Sequence, residues 1–173
     1  MLLFIIASLF FFIATLGFII FCILTAGIYF FGAPFVVSSN ERIRFILKLL
    51  KPQKGEKIVD LGSGDGTLLF EIAKSGAIAY GYEINPILVR RTKRKIKKLG
   101  LEGKVFVERA NFLKKDLSDF DAIVVYGITY LMPRLEKKLQ RELKPGTRVV
   151  SNYFKFPNWK PEKKEGDVLI YKR

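Results

Sequence analysis

The stretch Lys57-Ile-Val-Asp-Leu-Gly-Ser-Gly-Asp-Gly-Thr67 narrows the possible folds of this chain more than any other. Lys57–Leu61 has the β-branched, apolar character of a buried strand, and the helix-like segment Thr67–Ser75 follows it after a single glycine-spaced turn. Strand, turn and helix in that order open a doubly wound α/β sheet. Glycines 62, 64 and 66 let the backbone turn sharply and come close to a ligand, and the helix start aims free N–H groups at the same place. The dinucleotide fingerprint G-x-G-x-x-G would put glycine at 67, where this chain has Thr67, so its spacing is G-x-G-x-G. The alternative reading is an ordinary turn with helix-capping acids.

Three acids refine the expectation. Asp60 closes the strand, Asp65 lies in the turn, and Glu83 ends a second strand, Ala77–Ile84, about twenty residues on, where a carboxylate can hold ribose hydroxyls. Two turn carboxylates would repel a pyrophosphate but suit a cationic ligand. S-adenosylmethionine, with an ammonium, a sulfonium and no phosphate, fits that description. Asp60, Gly62, Ser63, Gly64, Asp65, Gly66 and Glu83 are the candidate donor-binding residues.

Charge divides the chain. Residues 1–40 carry no charged side chain, and all 30 Lys/Arg and 16 Asp/Glu fall in residues 41–173. Leu2–Phe31 is almost continuously apolar and, at about 1.5 Å per residue, long enough as a helix to span a bilayer with tilt. The expected domains are a membrane anchor over 1–37 and a catalytic domain over 41–173. Gly32, Pro34 and Ser38-Ser-Asn40 are expected to break the span. Cleavage at Thr25-Ala-Gly27 is the alternative, although a signal peptide would be shorter and begin with basic residues. Arg42, Arg44, Lys48, Lys51, Lys54 and Lys57 all follow the span and no cation precedes it, which places the domain on the cytoplasmic side. Cys22, the single cysteine, lies in the span, so no disulfide framework is expected.

Glu41–Leu50 reads as a helix burying Ile43, Ile46, Leu47 and Leu50 against the sheet edge, its basic face suited to anionic lipid head groups or to water. Pro86 starts another helix, with an apolar stripe expected at Ile87, Leu88, Ile96 and Leu99. Its run Arg90–Lys98 holds seven cations in nine residues. With no aromatic interleaving and no histidine for zinc, the run argues against a nucleic-acid interface and for a solvated face, or one meeting acidic lipid or an acidic partner. Strands follow at Val105–Asn111, Asp121–Gly127, Thr147–Phe154 and Asp167–Lys172, the last at the sheet edge, with a helix at Leu131–Leu143. Pro157, Trp159 and Pro161 suggest a lid-like stretch. Ligands of such sheets sit beyond the carboxyl ends of the strands, so Tyr126, Gly127, Ile128, Thr129 and Tyr130 should face the reacting group. Tyr126 and Tyr130 are either the walls of an aromatic slot for a lysine stem or core fillers.

Asp60-Leu-Gly-Ser-Gly-Asp-Gly66, Gly81-Tyr-Glu-Ile-Asn-Pro86, Tyr126-Gly-Ile-Thr-Tyr-Leu-Met132, Leu135–Leu143 and Phe156-Pro-Asn-Trp159 together resemble the class I methyltransferases, and within them the ATP synthase c-subunit lysine methyltransferases and their archaeal relatives. The resemblance covers Arg42 to about Trp159. It implies a Rossmann-like doubly wound sheet, S-adenosylmethionine as cofactor and a protein lysine as acceptor. It also implies an adenine contact at the end of the third strand, where Asn111 stands in place of the usual Asp. An Asn carbonyl can still accept that bond.

The reading is a membrane-anchored methyltransferase, with the domain cytoplasmic, that transfers methyl groups to a lysine of a protein at or in the membrane. Tyr126, Gly127 and Tyr130 would lie at the reacting centre, with no metal and no dedicated base. Two alternatives stay open. One is methylation of a lipid or quinone; the other is a non-catalytic donor-binding module docking on acidic partners through Arg90–Lys98.

Overall fold

The structure is a computed structural model that describes residues 2–31, 39–127 and 129–173, the side chains of 2, 3 and 23–31 excepted. The break expected at Gly32, Pro34 and Ser38 and the placement of Ile128 lie outside the described residues. The chain divides into two units, residues 1–34 and 35–173.

The first unit is one helix, α1 (Leu2–Phe31). Every described side chain from Phe4 to Cys22 is exposed, which leaves the helix apolar all round, and this segment is long and apolar enough to cross a membrane. Two of its hydroxyls bond back within the helix: Ser8 donates to the Phe4 carbonyl at 2.9 Å and Thr15 to the Phe11 carbonyl at 2.7 Å.

The second unit contains α2 (Asn40–Leu50), β1 (Lys57–Leu61), α3 (Thr67–Lys74), β2 (Ile78–Glu83), α4 (Pro86–Lys98), β3 (Val105–Arg109), β4 (Ala122–Val125), α5 (Met132–Glu142), β5 (Arg148–Asn152), β6 (Lys163–Glu165) and β7 (Val168–Lys172). Single 3-10 turns lie at Phe112–Lys114 and Thr129–Leu131. The seven strands are ordered β3-β2-β1-β4-β5-β7-β6. β1 to β5 run parallel, and β7 enters antiparallel between β5 and β6. The apolar runs of β1 and β4 follow from burial on both faces. Ile58, Ala79, Val107, Val124 and Val150 pack into the layer that holds α2, α3 and α4 residues, while Val59, Leu61, Ile123, Val125 and Val149 join Met132, Leu135 and Leu139 of α5.

Four local differences from the sequence expectations have physical reasons. β7 is an interior strand, and the edge belongs to β6, whose Lys-Lys-Glu carries the charge that an open edge tolerates. α2 lies across β5 and β7, and it buries Leu49 where Leu47 was expected to be fully covered. Its last carbonyls are taken by Arg148, which donates to Leu50 and Lys51 and also pairs with Glu56. On α4 the buried stripe is Leu88, Val89, Thr92 and Ile96, so Ile87 and Leu99, one step outside it, are exposed. Finally, the stretch around Trp159 is fastened down. Trp159 packs 5.4 Å from the rings of Phe156 and Tyr171, and the Tyr171 hydroxyl accepts from the Phe156 N–H. This anchors the expected lid to the α5 layer.

Candidate functional site

The strand order reverses between β2-β1 and β4-β5, which opens a crevice at the carboxyl ends of β1 and β4. The glycine turn fills one side of it. Gly62, Gly64 and Gly66 hold φ values of 96°, 55° and 79°, and the N–H groups of Gly62 and Ser63 donate to the Tyr82 carbonyl, which ties the turn to β2. The turn sits so close to β2 that a Cβ on Gly81 would lie 2.5 Å from Ser63 Oγ.

Glu83, at the end of β2, is 8% exposed and clasps the turn to α4: it accepts from the Gly64 N–H at 2.9 Å and from the Asn85 N–H at 2.8 Å. A carboxylate has about four acceptor positions, so roughly two remain for a ligand's hydroxyls. Asp60 is buried at the strand end. Burial first, and the nearby Glu83 charge second, push its carboxyl up to about 7. Asp65 is in the opposite state. Burial works to raise it, but the hydrogen bonds from Thr67 and Lys95 outweigh that and hold it below the usual carboxylate value. Its partner Lys95 sits at 3.0 Å. Of the two turn acids expected to face a cation, Asp65 is already paired with Lys95 of α4.

Asn111 is exposed, and its carboxamide oxygen accepts the Leu113 N–H at 3.0 Å, capping the 3-10 turn. A second lone pair on that oxygen remains for an adenine amino group. Across the crevice, Tyr126 is half-buried and its ring lies 5.9 Å from that of Phe154. Tyr130 is 79% exposed on the turn at Thr129–Leu131 and has no described ring partner, so the aromatic neighbour of Tyr126 comes from the segment after β5. Gly127 is a packing position: a Cβ there would lie 2.5 Å from Met132 Sδ.

Among the described residues, three buried side-chain polar atoms have no hydrogen-bond partner: Ser63 Oγ and both amide atoms of Asn152. Each such group costs about 1–3 kcal/mol. Ser63 belongs to the glycine turn, and its hydroxyl is packed against Gly81 of β2.

A further surface lies on α4. Arg90, Lys93, Arg94 and Lys97, with Arg109 of β3, line a groove of about 420 Å³ together with Pro86 and Val89. Among the described residues, none of these five cations forms an ion pair.

The family model described as the ANTKMT methyltransferase domain matches residues 60–163, more than half of the chain and all of the crevice from Asp60 to Phe154. The chain belongs to this methyltransferase family. It is 35% identical over 136 residues to the ATP synthase c-subunit lysine N-methyltransferase of Rattus norvegicus, with 79% of this chain and 62% of the relative covered. This chain thus spans about three fifths of that relative. It is 34% identical to a protein-lysine N-methyltransferase of Saccharolobus islandicus (strain REY15A), over 75% of this chain and 81% of that one. Among solved structures, an RNA methyltransferase from Salinibacter ruber in complex with S-adenosyl-L-homocysteine superposes with a TM-score of 0.73 at 27% identity, covering 79% of this chain and 92% of that one.

Within the ANTKMT methyltransferase domain, the glycine turn and the carboxyl end of β4 were legible from sequence. Lys95 and Asn152 were missed. Lys95 is one cation in a run of many, but Asn152 left a trace: Ser151-Asn152 ends an otherwise apolar buried strand with two polar residues.

Proposed function

We propose that this chain is an S-adenosylmethionine-dependent protein-lysine N-methyltransferase that α1 holds at a membrane, with its domain on the cytoplasmic side and its acceptor a protein at or in that membrane. The observation that carries the proposal is the buried acid pair Asp60 and Glu83 around the glycine turn at the strand-order reversal. The kinship with relatives named for methylating protein lysines supports the acceptor class.

When bound, S-adenosylmethionine supplies an electrophilic methyl group on a sulfonium. The chain's residues do the rest. In this reading Glu83 would hold the ribose hydroxyls, Asn111 the adenine amino group, and Gly62, Ser63, Gly64 and Gly66 the amino-acid end, where an ionised Asp60 would face its cations. Asp65, already paired with Lys95, fixes the start of α3 by accepting from Thr67. Tyr126 and Phe154 form the apolar wall on the acceptor side. A lysine amine with its reference pKa of about 10.4 needs roughly 4–5 kcal/mol to become neutral at pH 7, and desolvation between such rings lowers that cost. No histidine is present in the chain, and none is required for this route.

The unpaired cations around the α4 groove support anionic lipid head groups as the surface the domain faces. The experiment is radiolabelled methyl transfer from the donor into membranes, with protein, lipid and RNA fractions counted separately. Label confined to protein, and found on lysine, is the expected outcome; label in lipid or RNA alone overturns the acceptor, and no label with undetectable donor binding overturns the enzyme.

A further inference from the structure

Asn152 is the last residue of β5, on the ligand side of the sheet, and it is 1% exposed. Both polar atoms of its carboxamide are buried without a hydrogen-bond partner. Val125 of β4 is in register with Ser151, so Asn152 and Tyr126 each follow a paired residue at the carboxyl ends of these neighbouring strands. The chain is held rigidly as it leaves Asn152. Tyr153 adopts φ 77°, a left-handed conformation that side-chain-bearing residues seldom take, and its N–H is tied to the Asp167 carbonyl at 2.9 Å. The Ser151 hydroxyl donates to the Phe154 carbonyl, and this places the Phe154 ring against Tyr126.

A buried amide left unmatched by its own fold, next to the aromatic wall of the acceptor side, is a group arranged for something that enters. We infer that Asn152 positions the acceptor amine. Its carboxamide oxygen accepts one N–H of the neutral lysine amine, which turns the nitrogen lone pair toward the methyl carbon. The N–C bond forms from that lone pair as the C–S bond breaks, its electron pair stays on sulfur, and the methylammonium product later gives its N–H proton to solvent. The assignment rests on the lysine methyltransferase reading, and it adds a consequence that reading lacks. A neutral amine with no methyl group or one still has an N–H to donate, whereas a neutral dimethylamine has none, so Asn152 assists the first two transfers and not a third.

The test uses full-length protein in detergent, with Asn152→Leu, Asn152→Asp and wild type. The acceptor is detergent-solubilised total membrane protein, either native or with its lysines chemically dimethylated beforehand by reductive methylation. Leu fills the same space without an unmatched polar group, so Asn152→Leu should melt higher by about 4 °C. It should bind donor as wild type does, label native acceptor about 10²-fold more slowly, and label the dimethylated acceptor at the wild-type rate. Asn152→Asp keeps an oxygen acceptor and should stay within about tenfold of wild type on native acceptor. Equal loss on both acceptors would mean a structural role, and full activity of Asn152→Leu on native acceptor would mean none; either overturns the inference. If Asn152→Leu does not fold, Asn152→Ala, which also lacks the acceptor oxygen, decides by the same comparison of the two acceptors. Wild type that binds no donor, or labels no protein, overturns the underlying reading instead, which keeps the two failures distinct.

Discussion

Asp60 and Asp65 lie in one turn, yet the fold holds them on opposite sides of the ordinary carboxylate value. Burial and Glu83 raise Asp60 to about 7, while Thr67 and Lys95 bring Asp65 down despite its burial. The linkage follows with opposite signs. A raised folded-state value means that the stability associated with Asp60 is complete below its unfolded value, near 4, and is lost as pH rises through about 7. Asp65 contributes above the unfolded value and loses its contribution as pH falls. Asp60→Asn should therefore melt higher than wild type at about pH 8 and converge with it near pH 4, a difference read from thermal melts across that range. Donor binding should show the complementary cost. A cationic donor selects ionised Asp60, so wild-type affinity should fall up to tenfold per unit below about pH 7, and Asp60→Asn should bind weakly with a flat profile. Calorimetric affinities of both proteins across pH provide the check. Sequence marked the two acids but could not separate them, because the difference comes from burial beside Glu83 on one side and from Thr67 and Lys95, the latter thirty positions away on α4, on the other.

At the scale of elements, β1 and β4 were readable because strands buried on both faces are largely apolar, and α3 because it follows the glycine turn at once. β6 was not: three residues, Lys-Lys-Glu, show no strand pattern, and they pair only because β7 presents a neighbour. On α4 the expected Leu88 and Ile96 are buried while Ile87 and Leu99 are not, since the run of cations hides the phase of the apolar residues. That run has its own expected behaviour. At about 1 kcal/mol per cation near an anionic surface, the groove of Arg90, Lys93, Arg94, Lys97 and Arg109 should favour acidic lipid by several kcal/mol. In vesicles carrying the full chain, an impermeant acetylating reagent added on the side of the domain should label Lys93 and Lys97 several-fold more slowly when phosphatidylglycerol is mixed into phosphatidylcholine. Exposed Lys164 serves as the reference, and about 1 M salt, with a Debye length of roughly 3 Å, should abolish the effect. Equal labelling in both lipids would leave α4 as a solvated face.

At the scale of the whole molecule, the donor turn, both apolar layers and all seven strands lie within residues 35–173, while α1 forms a unit of its own. The hydroxyls of Ser8 and Thr15 are bonded back onto the helix that carries them, so neither is left to recognise a neighbouring span. Exchanging Leu2–Phe31 for a leucine-alanine helix of equal length should then leave methyl incorporation into membranes unchanged, whereas deleting it should slow that incorporation by orders of magnitude through loss of local concentration. Equal incorporation after deletion would show that the helix confines nothing, and loss after exchange would show that its particular residues matter. On the proposed anchoring, a helix that turns Ser8 and Thr15 back onto itself would serve as a postal address, and addresses are interchangeable: the same domain delivered to another bilayer would encounter a new set of lysines without any change in its active site.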